Sequence, residues 1–139
     1  MAQTAKIYEF DPVVYPRKLW VVVKGSAKDI ANAFAEPNCG GDCDVDNDDI
    51  ANSDALAFSA QNKDEKTNGV VVWLHSPSRA RIEVIAHEAL HAAAMILNEC
   101  GVKPDFDNDE PLAYLVGFCA ESIWKAKRHE AEPKKVSKS

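Results

Sequence analysis

The segment His-Glu-Ala-Leu-His at positions 87 to 91 combines residue types and spacing that could support hydrolysis. Residues four apart lie on one face of a helix, so His87 and His91 can both direct a ring nitrogen at one metal ion. Glu88 would then stand beside a water on that ion and act as a general base. The alternative is an ordinary packed helix without metal. Burying these polar groups without partners is costly, and a zinc ion with its water would supply the partners.

A catalytic zinc site needs a third protein ligand and an open fourth position. Acidic candidates follow the motif at Asp105, Asp107, Asp109 and Glu110. We expect Glu110, nineteen residues after His91, to head the next long helix and to return beside the middle of the metal helix. Alternatively, Glu110 binds no metal and only stabilises the N-terminus of its helix.

Small residues are expected to let the two helices approach closely. Ala113 and Gly117 fall on the same side of the last helix as Glu110. Alanines of the metal helix offer a flat partner surface, at Ala86, Ala89 and Ala93. The spacing therefore predicts that Glu110 and the two histidines share one metal ion.

The segment "HEALH" followed by "NDEPLAYLVGF" resembles the minimal gluzincin pattern of zinc peptidases. Over roughly residues 68 to 125 the chain is similar to small metallopeptidases of bacteriophages and prophages, in which a "VVWL" type strand precedes the motif helix. It is more distantly similar to ImmA/IrrE-type peptidases, which match it at Glu110 and Ala113. The resemblance implies a zinc-dependent peptidase with ligands His87, His91 and Glu110 and the base Glu88.

The chain departs from the larger gluzincins four residues after the ligand glutamate, where they carry an acidic residue and this chain has Tyr114. An acidic group that orients a ligand histidine must therefore come from elsewhere, for example Asp107 or Asp109, or be missing. Tyr114 itself could donate its hydroxyl to a developing oxyanion, although a tyrosine on a helix is often a core residue.

Three residues before the motif helix are further candidates for substrate contacts. His75 could polarise a substrate carbonyl, or be a simple surface residue at a strand end. Arg79 and Arg81 could bind a substrate carboxylate, or form a solvated first turn of the helix.

Hydrophobic patterns predict the elements that position these groups. Strands are expected at 17–23, 55–61 and 70–76, the last two as an antiparallel hairpin. Helices are expected from Ser26 to about Pro37, at 79–99 with Gly101 as its C-cap, and from Asn108 to about Arg128. The motif helix is apolar almost all round, which predicts that it lies inside the molecule.

These elements predict an α+β domain over residues 1–130, followed by a flexible basic tail at 131–139, and the resemblance to gluzincins implies that the domain is zincin-like. A twisted sheet of three or four strands is expected to pack on the central motif helix and the C-terminal helix. In gluzincin-like folds an extended peptide adds to an exposed antiparallel strand, which we assign to 70–75 or its hairpin partner.

The acidic segment 38–54 is expected to be an exposed loop or disordered, because it contains almost nothing to bury. The spacing of Asp44, Asp46 and Asp48 suggests a calcium loop, but the sixth and twelfth positions, Asp49 and Ala55, do not fit one. Other readings concern the cysteines. Cys39 and Cys43 could be half of a zinc knuckle without a second ligand pair, and Cys100 and Cys119 are expected to be free thiols within helices.

Overall charge and composition restrict the class of protein. The net charge of −6 and the absence of a basic stripe argue against a nucleic-acid partner. No apolar stretch has the length of a signal peptide or a membrane span, which predicts a cytoplasmic protein, in the host cytoplasm if a phage encodes it. Its expected partner is a peptide or protein substrate. The alternative is a non-catalytic, zinc-stabilised binding or regulatory protein whose fourth zinc position is filled by His75 or Cys119.

Overall fold

A five-stranded, curled sheet lies at the centre of the chain and carries two long helices on one face. The computed structural model describes residues 5–129 and 133–134. The strands follow the order β1-β2-β5-β4-β3 across the sheet. Their bounds are β1 Lys6–Phe10, β2 Lys18–Val23, β3 Phe34–Ala35, β4 Ala55–Asn62 and β5 Asn68–Leu74. The helices are α1 Ala27–Ala33, α2 Asn47–Asn52, α3 Ile82–Glu99 and α4 Glu110–Lys127, with a short 3₁₀ turn at Pro77–Arg79. The predicted α+β class is therefore confirmed.

The central pair of strands explains the two most apolar runs of the sequence. β2 and β5 pair in parallel from Lys18↔Gly69 to Val23↔Leu74, and every other neighbouring pair is antiparallel. Both faces of this pair are covered, because alternate residues belong to two separate buried clusters. Trp20 and Trp73 fill the cluster beneath α1, whereas Leu19 and Val21 fill the cluster beneath α3 and α4. A strand covered on both sides reads as continuously hydrophobic.

The predicted hairpin is confirmed, with β4 and β5 paired from Ala55↔Leu74 to Gln61↔Asn68. On its other side β4 pairs only through Phe34↔Asn62 and Ala35↔Gln61 of β3. Within the described part of the chain, the main chain of residues 55–60 therefore has a partner strand on one side only. The expectation of three or four strands was too low, because β1 alternates in polarity and β3 contains two residues.

Helix α1 begins as predicted, with Ser26 and Asp29 forming a reciprocal capping box. It ends at Ala33 and not near Pro37, because Phe34 and Ala35 turn to extended geometry and pair with β4. The fully buried Phe34 packs against Trp20 at a ring-centroid distance of 5.2 Å. Burial of this ring in the sheet therefore outweighs one more turn of helix.

The expectation that α3 lies inside the molecule was wrong. Its buried stripe holds mainly small and aliphatic residues, Ile85, Glu88, Ala89, Ala92, Ala93, Ile96 and Leu97. The opposite face is open to solvent, with Ile82 81% and Leu90 49% exposed. One sheet face and one neighbouring helix can cover only one side of a helix, so the remaining apolar residues stay outside.

Helix α4 packs on α3 through the predicted core face. Leu115, Cys119 and Ile123 are fully buried, and Leu112 is half-buried. The helix starts at Glu110, with Asp109 as its N-cap in place of Asn108 and with Pro111 in its first turn. At the end of α3, Gly101 has the positive φ of 77° that suits glycine there, directly after the capping residue Cys100.

The acidic segment is more ordered than we expected, because α2 lies within it. Asp46 accepts a hydrogen bond from the Asp48 backbone N–H at 2.8 Å and so caps this helix. Val45 and Ile50 are half-buried and pack against the sheet face that carries Trp73. Asp46, one of the aspartates whose spacing suggests a calcium loop, is therefore the N-cap of a helix.

The predicted basic tail falls on residues outside the described part of the chain, apart from Pro133 and Lys134. Lys134 lies against β1, where its ammonium contacts Glu9 at 2.8 Å and Glu65 at 3.0 Å. Within residues 5–129 and 133–134, none of the helices combines the length and hydropathy that a membrane crossing requires.

Candidate metal centre

The two motif histidines meet on the exposed face of α3. Their Nε2 atoms are 3.1 Å apart, and the ring centroids are separated by 4.6 Å at an interplanar angle of 70°. Both side chains are exposed, in contrast to the buried residues on the other side of the helix. The i, i+4 spacing therefore brings two nitrogen donors to one point at the surface, as the sequence predicted.

This separation fits two ligands of one zinc ion. Tetrahedral zinc with Zn–N bonds of about 2.0–2.1 Å places neighbouring nitrogens about 3.3 Å apart. The two nitrogens could instead share a proton in a hydrogen bond, which is possible while one ring donates and the other accepts. Coordination of one ion uses the lone pairs of both Nε2 atoms, whereas the hydrogen bond uses the lone pair of only one of them. The donor set is thus suited to a divalent transition metal.

Glu88 lies in a different environment from the histidines beside it. It is only 7% exposed, and its Oε1 atom is 3.8 Å from His87 Nε2. Burial raises the pKa of this carboxyl above its ordinary value, although His87 and His91 act in the opposite direction. The side chain therefore points away from the exposed face that carries the histidines and into the protein, where a carboxylate is shielded from bulk water.

Glu110 lies exposed in the first turn of α4, and Tyr114 is 59% exposed one turn later on the same side. Among the described residues, no three His, Cys, Asp or Glu side chains are arranged to hold a metal ion. The structure therefore brings the two histidines together and leaves the third ligand as a prediction. Glu110 forms no ion pair with another described residue, so its carboxylate can change rotamer without losing one.

The prediction that Ala113 and Gly117 let α4 approach α3 closely was wrong. Ala113 and Gly117 are exposed, and a side chain added at Gly117 would meet no atom within 4 Å. Ala86 is exposed as well, whereas Ala89 and Ala93 are buried. The side of α4 that carries Ala113 and Gly117 therefore faces solvent together with Glu110, and the buried residues of this helix are Leu115, Cys119, Ser122, Ile123 and Ala126.

Two candidates for substrate contacts, Arg79 and Arg81, form ion pairs with acidic side chains of the protein. Arg79 contacts Asp54 at 3.0 Å, and Arg81 contacts Asp54 at 3.4 Å and Glu83 at 2.7 Å. Their guanidinium groups are thus engaged in ion pairs near the start of β4. Sequence reasoning missed Asp54, which we had assigned to the acidic loop, and its position directly before β4 was the available signal.

His75 and Cys119 are poor candidates for a fourth ligand. His75 stacks edge-on against Trp73 at a centroid distance of 5.9 Å, and Trp73 faces away from α3. Its Nδ1 atom is buried without a hydrogen-bond partner in the described part of the chain. Cys119 is fully buried, and burial raises the pKa of its thiol to about 12. Neither residue joins the histidine pair in a group suited to a metal among the described residues.

A cleft opens beside the histidine pair and meets the start of β4. It has a volume of about 320 Å³ and is lined by Asp54, Ala55, Glu83, Val84, His87 and Glu88. The first residue of the singly paired β4 edge is therefore part of the same cleft as the motif. A group that enters this cleft can contact His87 and Glu88 and the edge of the sheet together.

Comparisons with protein-family models, with curated proteins and with solved structures give no match to this chain. Any assignment of activity must therefore rest on the chemistry of the site itself.

Proposed function

We propose that the protein is a zinc-dependent peptidase that cleaves peptide bonds at the exposed face of α3. The observation that carries the proposal is the convergence of His87 Nε2 and His91 Nε2, 3.1 Å apart, beside the buried carboxylate of Glu88. Glu110 is the third ligand in this proposal, because it is the exposed acidic residue in the first turn of α4, the helix that follows the motif helix. Bound zinc supplies a Lewis acid that makes water a nucleophile at neutral pH.

Glu88 acts as the general base and then as the general acid. It accepts a proton from the attacking water as the new C–O bond forms at the scissile carbonyl. It then delivers that proton to the amide nitrogen as the C–N bond breaks, which leaves a carboxylate and an amine. Tyr114 is the proposed donor to the oxyanion, because it lies one turn after Glu110.

The β4 edge supports an extended peptide as the substrate. Residues 55–60 of β4 lack a second neighbouring strand, and Ala55 lines the cleft at His87 and Glu88. A peptide that pairs with this edge satisfies its free main-chain groups and passes beside the motif. We therefore propose that the substrate pairs with β4. The other candidate in the sequence analysis was the strand at 70–75, with which β4 forms the hairpin.

Zinc content tests the ligand set. We expect one zinc per chain in the purified protein, measured by plasma mass spectrometry, and loss of zinc in His87→Ala and in Glu110→Ala. His75→Ala is the matched control and keeps its zinc, because His75 faces away from α3. A wild-type protein that binds no zinc at micromolar concentration contradicts the proposal, and loss of zinc in His75→Ala favours a closed four-ligand site.

Turnover tests the catalytic role of Glu88. The variant Glu88→Gln should keep its zinc and lose about 10²–10⁴-fold in rate, because the amide cannot accept the proton. The measurement compares cleavage of a mixed peptide library by zinc-loaded wild type and variant. If the wild type holds zinc but leaves the whole library uncut, the non-catalytic, zinc-stabilised binding protein replaces the peptidase.

A further inference from the structure

A second groove follows the β4 edge away from the histidine pair, and we refer to it as the edge groove. One wall is formed by β4 residues 56–59, and the other by residues 36–38, 43–46 and 49, most of which belong to the acidic segment. Its volume is about 530 Å³. The outer wall is anchored to the sheet, because Asp42 bridges to Ala35 and the Cys43 N–H donates to Phe34 O at 3.1 Å.

The charges around the edge groove have one sign. Among the residues that the structure describes, its walls contain four carboxylates and no lysine, arginine or histidine, the acidic residues being Glu36, Asp44, Asp46 and Asp49. None of the four forms an ion pair with a described residue, whereas neighbouring Asp42 is paired with Lys63. Four uncompensated carboxylates around one groove attract a cationic group.

Besides the charge, the groove offers apolar surface and main-chain hydrogen-bonding groups. Val45, Leu56 and Phe58 are half-buried and line it. The adjacent β4 main chain has no second strand over these residues. Lysine and arginine match this combination, since they bury an aliphatic stem against apolar surface and keep the charged end beside carboxylates. A single metal ion would use only the carboxylates, and the described residues contain no three of them arranged to hold one.

We infer that the edge groove selects an extended peptide with basic side chains, and that Glu36, Asp44, Asp46 and Asp49 determine this specificity. The selected positions lie on one side of the scissile bond. The histidine cleft meets β4 at Asp54 and Ala55, and the edge groove begins at Leu56. A strand advances about 3.3 Å per residue, so the basic residues lie within about four positions of the bond that is cut. The location of that bond rests on the proposed peptidase function.

Peptide binding to zinc-loaded Glu88→Gln tests the inference without turnover. The probes are three fluorescein-labelled decapeptides that are identical except for lysine, glutamine or glutamate at alternate positions. We expect the lysine peptide to bind about tenfold more tightly than the glutamate peptide at low ionic strength, measured by fluorescence anisotropy. The difference should shrink towards unity at about 0.5 M salt, where exposed charges are screened.

Charge-matched variants assign the selectivity to the groove. Adding Asp44→Asn and Asp49→Asn should reduce the lysine preference at least about threefold. The control adds Asp48→Asn and Glu121→Gln, which remove the same charge from residues that do not line the groove. Equal binding of the three peptides, or an equal effect of the two double variants, overturns the inference. So does micromolar binding of Ca²⁺ that abolishes the lysine preference.

The two proposals fail in different ways. If wild type cleaves peptides without preference for basic residues, the edge groove does not set specificity and the peptidase function stands. If Glu88→Gln prefers the lysine peptide while zinc-loaded wild type cleaves none of the three decapeptides or the library, the groove stands and the peptidase proposal fails.

Discussion

At the scale of single residues, neighbouring side chains of α3 occupy opposite environments. The side chain of His87 is 66% exposed, and the side chain of Glu88 beside it is 9% exposed. Successive residues on a helix point about 100° apart, so one faces solvent while the next faces the sheet. The proposed metal ligand His87 and the proposed proton acceptor Glu88 thus stand side by side with different accessibility to water.

Tyr114 is the residue whose role is easiest to separate from stability. Its ring is 59% exposed, so Tyr114→Phe should change the free energy of unfolding by less than about 0.5 kcal/mol. If its hydroxyl donates to the oxyanion, kcat should fall about a hundredfold with little change in KM and with zinc retained. Steady-state kinetics on a cleaved library peptide measure this effect. Tyr15→Phe is the control, and an unchanged kcat in Tyr114→Phe would remove Tyr114 from the mechanism.

At the scale of elements, β4 is the strand that connects the two binding features. It borders the histidine cleft at one end and the edge groove along its middle. It can do so because β3 pairs with two of its residues and leaves the rest open. An exposed strand edge usually carries a risk of aggregation, and the acidic segment beside it supplies charges that discourage pairing between copies of the chain.

Two glycines make a matched test of the sheet and of α4. A methyl group at Gly69 would overlap the carbonyl oxygen of Lys18 and lie 2.8 Å from the Trp20 ring. Gly69→Ala should therefore separate β2 from β5 and cost about 3 kcal/mol. Gly117→Ala, where nothing lies within 4 Å, should instead stabilise the exposed helix by about 0.5–1 kcal/mol.

Urea denaturation of both variants measures the two changes. Equal midpoints for Gly69→Ala and the wild type would contradict the close parallel pairing of β2 with β5. A destabilised Gly117→Ala would place a neighbouring group against that side of α4.

At the scale of the whole molecule, the far edge of the sheet is tied to residues beyond α4. The Lys134 ammonium contacts Glu9 of β1 and Glu65 of the β4–β5 turn. Glu9 also accepts a hydrogen bond from the fully buried Trp20 at 2.8 Å. These contacts link the chain after α4 to the first strand and to the core.

The Glu9 contacts predict a pH-dependent stability. Burial opposes ionisation of Glu9, but hydrogen bonds from Lys134 and Trp20 overcome it and lower the pKa of this carboxyl. A lowered folded-state pKa contributes stability above the unfolded pKa, and that stability is lost as the pH falls through the folded value. Lys134→Ala should therefore cost about 1 kcal/mol at pH 7 and much less at pH 3.

Thermal denaturation at both pH values measures this dependence. Lys125→Ala removes an exposed pair with Glu121 and serves as the control, with a small effect at either pH. A Lys134→Ala penalty that is as large at pH 3 as at pH 7 would mean that the Glu9 charge does not contribute.

Features that depend on neighbours along the chain could be predicted from local sequence patterns. The i, i+4 histidine pair, the capping box at Ser26 and the β4–β5 hairpin are local, because helix period, cap chemistry and turn length set their geometry. Which side of each helix or strand is covered depends instead on contacts between segments that are far apart in the chain. Leu90 looks like a core residue in its helix but is 49% exposed, and Ala113 and Gly117 face away from the partner helix. The open β4 edge, the edge groove and the outward position of Glu110 arise in the same way. They depend on which distant segments bury one another's apolar surface, and this cannot be predicted from a local pattern.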